Sequence, residues 1–339
     1  MPHKSMMTVL SAMLVAVSIA ALGCKRSPRT PDEVTHEATS FKVALLTPGS
    51  VSDAGWNAAA FDGMQHVKDN LAAVSEVVQT TSPADAEKAL ADFASRGFNL
   101  IFAHGYEYTT PTLKVAVAFP RTVFVVTSGG ASSANVASLV FKLEEAAYVE
   151  GMLAASMSKS GIAGAVGGGQ IPGIKLAFDG FTRGFESINP RGKVLVSFVG
   201  RLDDVPAAKK AALDQIAQHA DLLIGNADAA SLGVFLAARQ AHVYAFGSHR
   251  GQTSLAPDVV LADAVADIPG AFLRVATQVK AGTFKPGMFE MGMKEGMVKV
   301  VYNEKLKDRV PETAIARASA AEKDIIDGKI TFAPPPLAQ

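Results

Sequence analysis

A single cysteine in 339 residues leaves no partner for an intramolecular disulfide, so the chain must be held by core packing. An excess of one charge is equally missing. Lysine plus arginine (32) balance aspartate plus glutamate (32). That removes the long-range field that gathers nucleic acid, so no nucleic-acid partner is expected. Aromatics are scarce, with one Trp and five Tyr, so an aromatic in a loop carries information. The seven histidines are scattered without metal-ligand spacing, no cysteine cluster accompanies them, and no Gly-x-Ser-x-Gly occurs. Metal, cofactor and catalysis are therefore not expected. With 49% hydrophobic and 19% charged residues, the chain can bury one large α/β domain or two ordinary lobes.

The one cysteine, Cys24, follows an apolar run from about Met6 to Leu22 and a small residue, Gly23. A basic start, a short apolar stretch and a small residue make a secretory signal over 1–24. The Gly23-Cys24 junction resembles a bacterial lipobox, with Ala21 where leucine is usual. That resemblance implies a lipidated Cys24 and membrane attachment at the cell envelope. The polar, proline-bearing stretch 25–40 reads as a flexible tether.

From residue 42 short apolar runs alternate with helical segments. Strands are predicted at Lys42–Thr47, Val74–Thr80, Asn99–His104 and Thr122–Thr127. The alternation restarts with strands at Gly161–Gly167, Val194–Val199, Asp221–Gly225 and Val243–Gly247, and a late strand at Met297–Tyr302. Continuous apolar strands separated by helices imply parallel sheets covered on both faces. Two such runs predict two doubly wound lobes, in which ligands bind beyond the carboxyl ends of the strands. The strand-end loops are thus the place to look.

The first carries Asp53, Trp56 and Asn57. These offer an acceptor, a flat aromatic for stacking and an amide that reads a heterocycle edge. The same residues also fit a helix cap and a core aromatic, and the pattern does not choose. The third loop holds Tyr106 and Tyr108, suited either to a ligand face or to hinge packing. The glycine-rich loop with Gly169 and Gln170 lacks the signatures of phosphate and dinucleotide sites. Later strand ends offer Arg201, Asn226, Asp228 and Ser248. The adjacent Asp203 and Asp204 have no His or Cys cluster beside them to suggest a metal.

The stretches Ser52–Asn57, Tyr148–Ala155, Ser158–Gly164 and Gly180–Pro190 together resemble the basic membrane protein family, the purine nucleoside receptor group of ABC-transporter substrate-binding lipoproteins. The resemblance spans roughly 42–330. It implies a type I periplasmic-binding-protein fold with three interlobe crossings. The expected division is an N-terminal lobe over 41–158, a C-terminal lobe core over 159–242, a return to the N-terminal lobe over 243–285, and completion of the C-terminal lobe over 286–339.

The resemblance also implies a purine base or nucleoside in the cleft, a permease partner, and ligand contacts from Asp53, Trp56, Asn57, Tyr106, Tyr108 and Gly168–Gln170. Two departures stand out. Arg201 lies where relatives place an aromatic wall, leaving a guanidinium or no wall there. Gly247-Ser248-His249 replaces an acidic residue that reads ribose. The expected function is solute capture for an ABC importer. A surface sensor without transport is the alternative from another class, and a nucleoside-processing enzyme is a third.

Overall fold

The computed structural model describes residues 40–53 and 55–332. The expected signal, most of the tether and Cys24 lie outside these.

The first sheet contains β1 (Lys42–Thr47), β2 (Val74–Gln79), β3 (Leu100–His104), β4 (Val123–Thr127) and β5 (Val136–Phe141). Between them run α1 (Trp56–Leu71), α2 (Pro83–Ser95) and α3 (Thr109–Ala116). The helix α4 (Leu143–Met157) leads to the second sheet. There β6 (Ile162–Gly167), β7 (Lys193–Phe198), β8 (Leu222–Asn226), β9 (Tyr244–Gly247) and β10 (Val260–Ala266) alternate with α5 (Pro172–Ile188), α6 (Val205–Ala217), α7 (Ser231–Ala241) and α8 (Gln252–Leu255). The chain finishes through α9 (Ile268–Lys280), β11 (Met288–Met291), β12 (Val298–Tyr302) and α10 (Glu312–Ile326).

The sheet orders are β11-β5-β4-β3-β1-β2 and β12-β10-β9-β8-β6-β7. All pairings are parallel except the antiparallel β10–β12 pair. Both lobes are therefore doubly wound in the same order, and in each the order reverses beside the first strand. This is the two-lobed fold expected.

The expected boundaries at 243 and 286 need correction. β9 and β10 belong to the second sheet, β11 adds an edge to the first, and β12 returns to the second. The chain crosses between lobes at 142–161, 267–287 and 292–297. The 243–285 division followed the resemblance, and β10 was not expected because Asp263 interrupts its apolar run. Only α9 of that stretch packs on the first lobe. Its Phe272 lies flat on Phe102, with ring centroids 3.8 Å apart and planes 7° apart.

Buried apolar strands explain the sheets. β3 is buried along its whole length, as is β10, so each needs helices on both faces. The α4–α5 contact is unusually close: a Cβ on Gly184 would collide with the Tyr148 carbonyl, and one on Gly151 with that of Phe181. Where the crossings run side by side, Lys142 N–H donates to the Met291 carbonyl (3.1 Å) and Met293 N–H to the Glu145 carboxylate (2.6 Å).

Candidate ligand-binding cleft

Each sheet reverses its strand order between two loops, after β1 and β3 in the first lobe and after β6 and β8 in the second. Those loops line one cavity of about 750 Å³, counted to its open mouth. They supply Pro48 and Trp56, then Gly105, Tyr106 and Glu107, then Ile171, Gly173 and Ile174, then Asn226 and Asp228. The ends of other strands add Ser128, Phe141, Leu202 and His249, and the α4 crossing adds Leu143. A concave, mainly apolar site with a few polar groups at the switch points is the usual geometry of a small-molecule pocket.

Trp56 is half-buried at the first position of α1. One side of its indole rests on His104, and Phe141 meets it edge-on at 6.3 Å between centroids. His104 Nε2–H donates to the Trp56 carbonyl (3.0 Å), and His104 Nδ1 accepts from the Thr127 hydroxyl (2.8 Å). A carbonyl can only accept, so this pairing fixes the tautomer. Burial pushes the imidazole pKa down to about 3, so the ring is neutral. The remaining surface of the indole faces the cavity.

The polar wall is acidic. Asp228 Oδ1 lies 3.1 Å from His249 Nε2, and both side chains keep about a tenth of their surface (11% and 10%). Asp228 has a left-handed backbone (φ 45°), a conformation Asp tolerates better than most residues. Glu107 lines the cavity with much of its side chain exposed but its carboxyl folded back against Gly105. The protein crowded around its carboxyl raises its pKa, and the charge of Asp228 adds to this. Gly105 (φ 152°) has no side chain because the Glu107 carboxylate occupies that space. No Lys or Arg lines the cavity among the described residues. Gly55 brings the lobes together: a Cβ there would lie 3.6 Å from Asp228 Cα and from the His249 ring.

Of the residues singled out from sequence, Trp56, Tyr106, Asn226 and Asp228 meet in this cavity. The others are placed elsewhere. Asp53 takes the N–H groups of Gly55, Asn57 and Ala58 (2.9, 3.0 and 2.9 Å), which caps α1. The Asn57 amide is buried and donates to Asp53 at 2.7 Å. Tyr108 is a core residue whose hydroxyl pairs with Thr80 at 2.8 Å. Gln170 is exposed, and neither it nor Gly169 is on the cavity wall. Arg201 points to solvent in an ion pair with Asp203 (2.9 Å), and its neighbour Leu202 forms the wall instead. Asp204 caps α6. The Ser248 hydroxyl is buried with no partner among the described residues, while the adjacent His249 lines the cavity. Sequence reading missed Glu107 and His249 although both sit in the loops it selected. The apolar lining, Phe141, Leu143, Ile171, Ile174 and Leu202, carries no signal that separates it from core. Among the described residues no group of three or more His, Cys, Asp or Glu could hold a metal ion.

Two equivalent lobes with a cleft at their facing switch points, and binding groups from both, define a two-lobed solute-binding protein. Over residues 40–331 the chain matches the family described as ABC transporter substrate-binding protein PnrA-like, and it belongs to that family. A curated relative, the purine-binding protein BAB2_0673 of Brucella abortus, is 30% identical over 87% of this chain and 85% of its own. The transcriptional activator protein Med of Bacillus subtilis is 26% identical over 90% of this chain and 93% of its own. Among solved structures, an ABC transporter solute-binding protein of Aeropyrum pernix superposes with a TM-score of 0.79 at 22% identity, covering 87% of this chain and 94% of that one.

Proposed function

We propose that this protein captures a purine base or nucleoside outside the cytoplasm and delivers it to an ABC permease. The observation that carries this reading is Trp56, backed by the neutral His104 and presenting the rest of its indole to the cleft. Stacking a base on an aromatic contributes about 1–3 kcal/mol. Asn226 offers both a donor and an acceptor to a heterocycle edge, and Asp228 and Glu107 accept from ring N–H groups or hydroxyls. The identity to a protein named as purine-binding supports the choice of ligand. Closure of the lobes by hinge motion is favoured by the ligand to the extent that it contacts both. A lipid on Cys24 would hold the protein beside its permease.

Native mass spectrometry of the purified protein, followed by titration with adenine, hypoxanthine, adenosine and inosine, tests the ligand. A co-purified purine, or binding of one of these four, is expected. A bound non-purine together with no response to any of them would sink the reading. The kinship with Med favours one second reading, a sensor that keeps the fold without transport. Loss of purine uptake on gene deletion argues for transport; unchanged uptake argues for the sensor.

A further inference from the structure

The cleft does not end at Trp56. A second chamber of about 490 Å³ shares Tyr106, Ser128, Phe141 and Gly173 with it and is also lined by Glu144, in the first turn of α4. Its other walls are largely apolar, with Gly129, Gly130, Val140, Pro172, Leu176 and Met288.

Glu144 is 4% exposed, and its carboxylate accepts from its own backbone N–H. The charges near it are Lys142, Glu145 and Glu290. The Lys142 ammonium lies 3.1 Å from Glu145 and 3.6 Å from Glu290, so the one nearby cation is already shared by the other two carboxylates. On the α5 side Asp179 and Arg183 lie beyond Glu144. Arg183 is occupied, donating to the Thr331 carbonyl (3.0 Å) and covering the Phe332 ring. Three carboxylates thus face one ammonium, which contacts Glu145 and Glu290 and acts on Glu144 only through its charge. Burial raises the Glu144 pKa to about 7, against its own backbone N–H and the Lys142 charge, so the carboxyl is only partly ionised until a cation pairs with it. With no Lys or Arg in the main cleft among the described residues, an anionic solute would be repelled along the whole path.

We infer that the solute is a planar base whose substituent passes between Phe141 and Gly173 and ends in a protonated amine paired with Glu144. This rests on the purine reading above and narrows it to cationic, amine-bearing derivatives. A hydroxyl-only substituent can hydrogen-bond this carboxyl in either protonation state, whereas an ammonium pairs with the ionised form alone.

Titration of the full chain, solubilised in detergent, with three probes tests this: adenine, 9-butyladenine and 9-(3-aminopropyl)adenine. The last two match in length and differ in charge. The amine is expected to bind about ten-fold tighter than the butyl compound, on the scale of a buried charge-assisted contact. Glu144→Gln should erase that preference while leaving adenine, which does not reach Glu144, within about two-fold. An unchanged melting temperature of Glu144→Gln with adenine bound shows that the variant is folded. Equal binding of the two extended probes, or a preference that survives Glu144→Gln, overturns the inference. So does binding of adenine with exclusion of both extended probes, which leaves the purine reading standing. Failure of all three probes brings down the purine reading and this inference together.

Discussion

The indole of Trp56 and the imidazole of His104 form a two-ring stack, with centroids 4.3 Å apart and planes inclined by 24°. The indole therefore serves as core and as cavity wall at once. Trp56→Ala should weaken purine binding by about 1–3 kcal/mol, roughly 5- to 150-fold. It should also lower the stability of the ligand-free protein by about 2 kcal/mol, since the ring is half-buried. Trp56→Phe should recover part of both. Calorimetric titration and denaturant unfolding on the same variant decide the matter; unaltered affinity would remove Trp56 from the site.

His104 links this stack to pH. Its folded pKa is pushed down to about 3 from the usual 6.5 by burial. Between those values the unfolded chain binds a proton that the folded chain does not. Stability contributed by the neutral ring is complete above 6.5 and is lost as pH falls towards 3, at about 1.4 kcal/mol per pH unit. His104→Gln keeps a donor for the Trp56 carbonyl and an acceptor for Thr127 but does not titrate. Unfolding free energies of parent and variant at pH 7.5 and 4.5 should therefore diverge, with the parent losing more on acidification. Parallel losses would contradict a buried neutral imidazole.

Asp53 was legible as a polar residue before a helix, but not as a cap in preference to a ligand contact. The structure gives it four donors from the first turn of α1 and its flank. Asp53→Ala should cost about 1–2 kcal/mol of stability, the scale of a lost cap. Purine affinity should change by no more than about two-fold below the melting transition. A ten-fold loss of affinity with intact stability would return Asp53 to the ligand.

How much could be read in advance follows from what each feature depends on. The two lobes were legible because β1, β3 and β8 are short, continuous apolar runs. β11 was not, because its half-exposed Met-Phe-Glu-Met has neither a buried-strand nor a clean alternating pattern. The cleft could be placed at strand ends by topology alone, and Trp56, Tyr106, Asn226 and Asp228 lie there. Which neighbour in a loop turns inward depends on backbone geometry that residue type does not encode. Leu202 lines the wall while Arg201 faces Asp203, and His249 lines it while Ser248 is buried behind.

The proposed lipid anchor is checked at Cys24, which lies before the described residues. With no other thiol in the chain, Cys24→Ser should abolish labelling by a palmitate analogue and release the protein from the membrane fraction. Persistent labelling would end the lipobox reading.

Glu150 is wholly buried on α4, and among the described residues its carboxyl oxygens have only the Ala264 backbone N–H nearby, outside good hydrogen-bond geometry. The Tyr302 hydroxyl is likewise unpartnered. Burial raises the Glu150 pKa well above the usual 4.5, and the charge of Asp263 raises it further. The folded chain therefore keeps a proton that the unfolded chain releases above 4.5. Stability from this group is complete below 4.5 and is lost as pH rises towards its folded pKa, by about 1.4 kcal/mol per pH unit. Asp263, pushed up to about 6 mainly by burial, acts in the same direction over a shorter window. Glu150→Gln keeps the shape and stays neutral at every pH. It should match the parent at pH 4.5 and exceed it at pH 7.5, with the gap widening as pH rises. Unfolding measured at both pH values gives the difference directly, and a gap that is constant or closes with rising pH would mean that Glu150 is ionised in the folded protein.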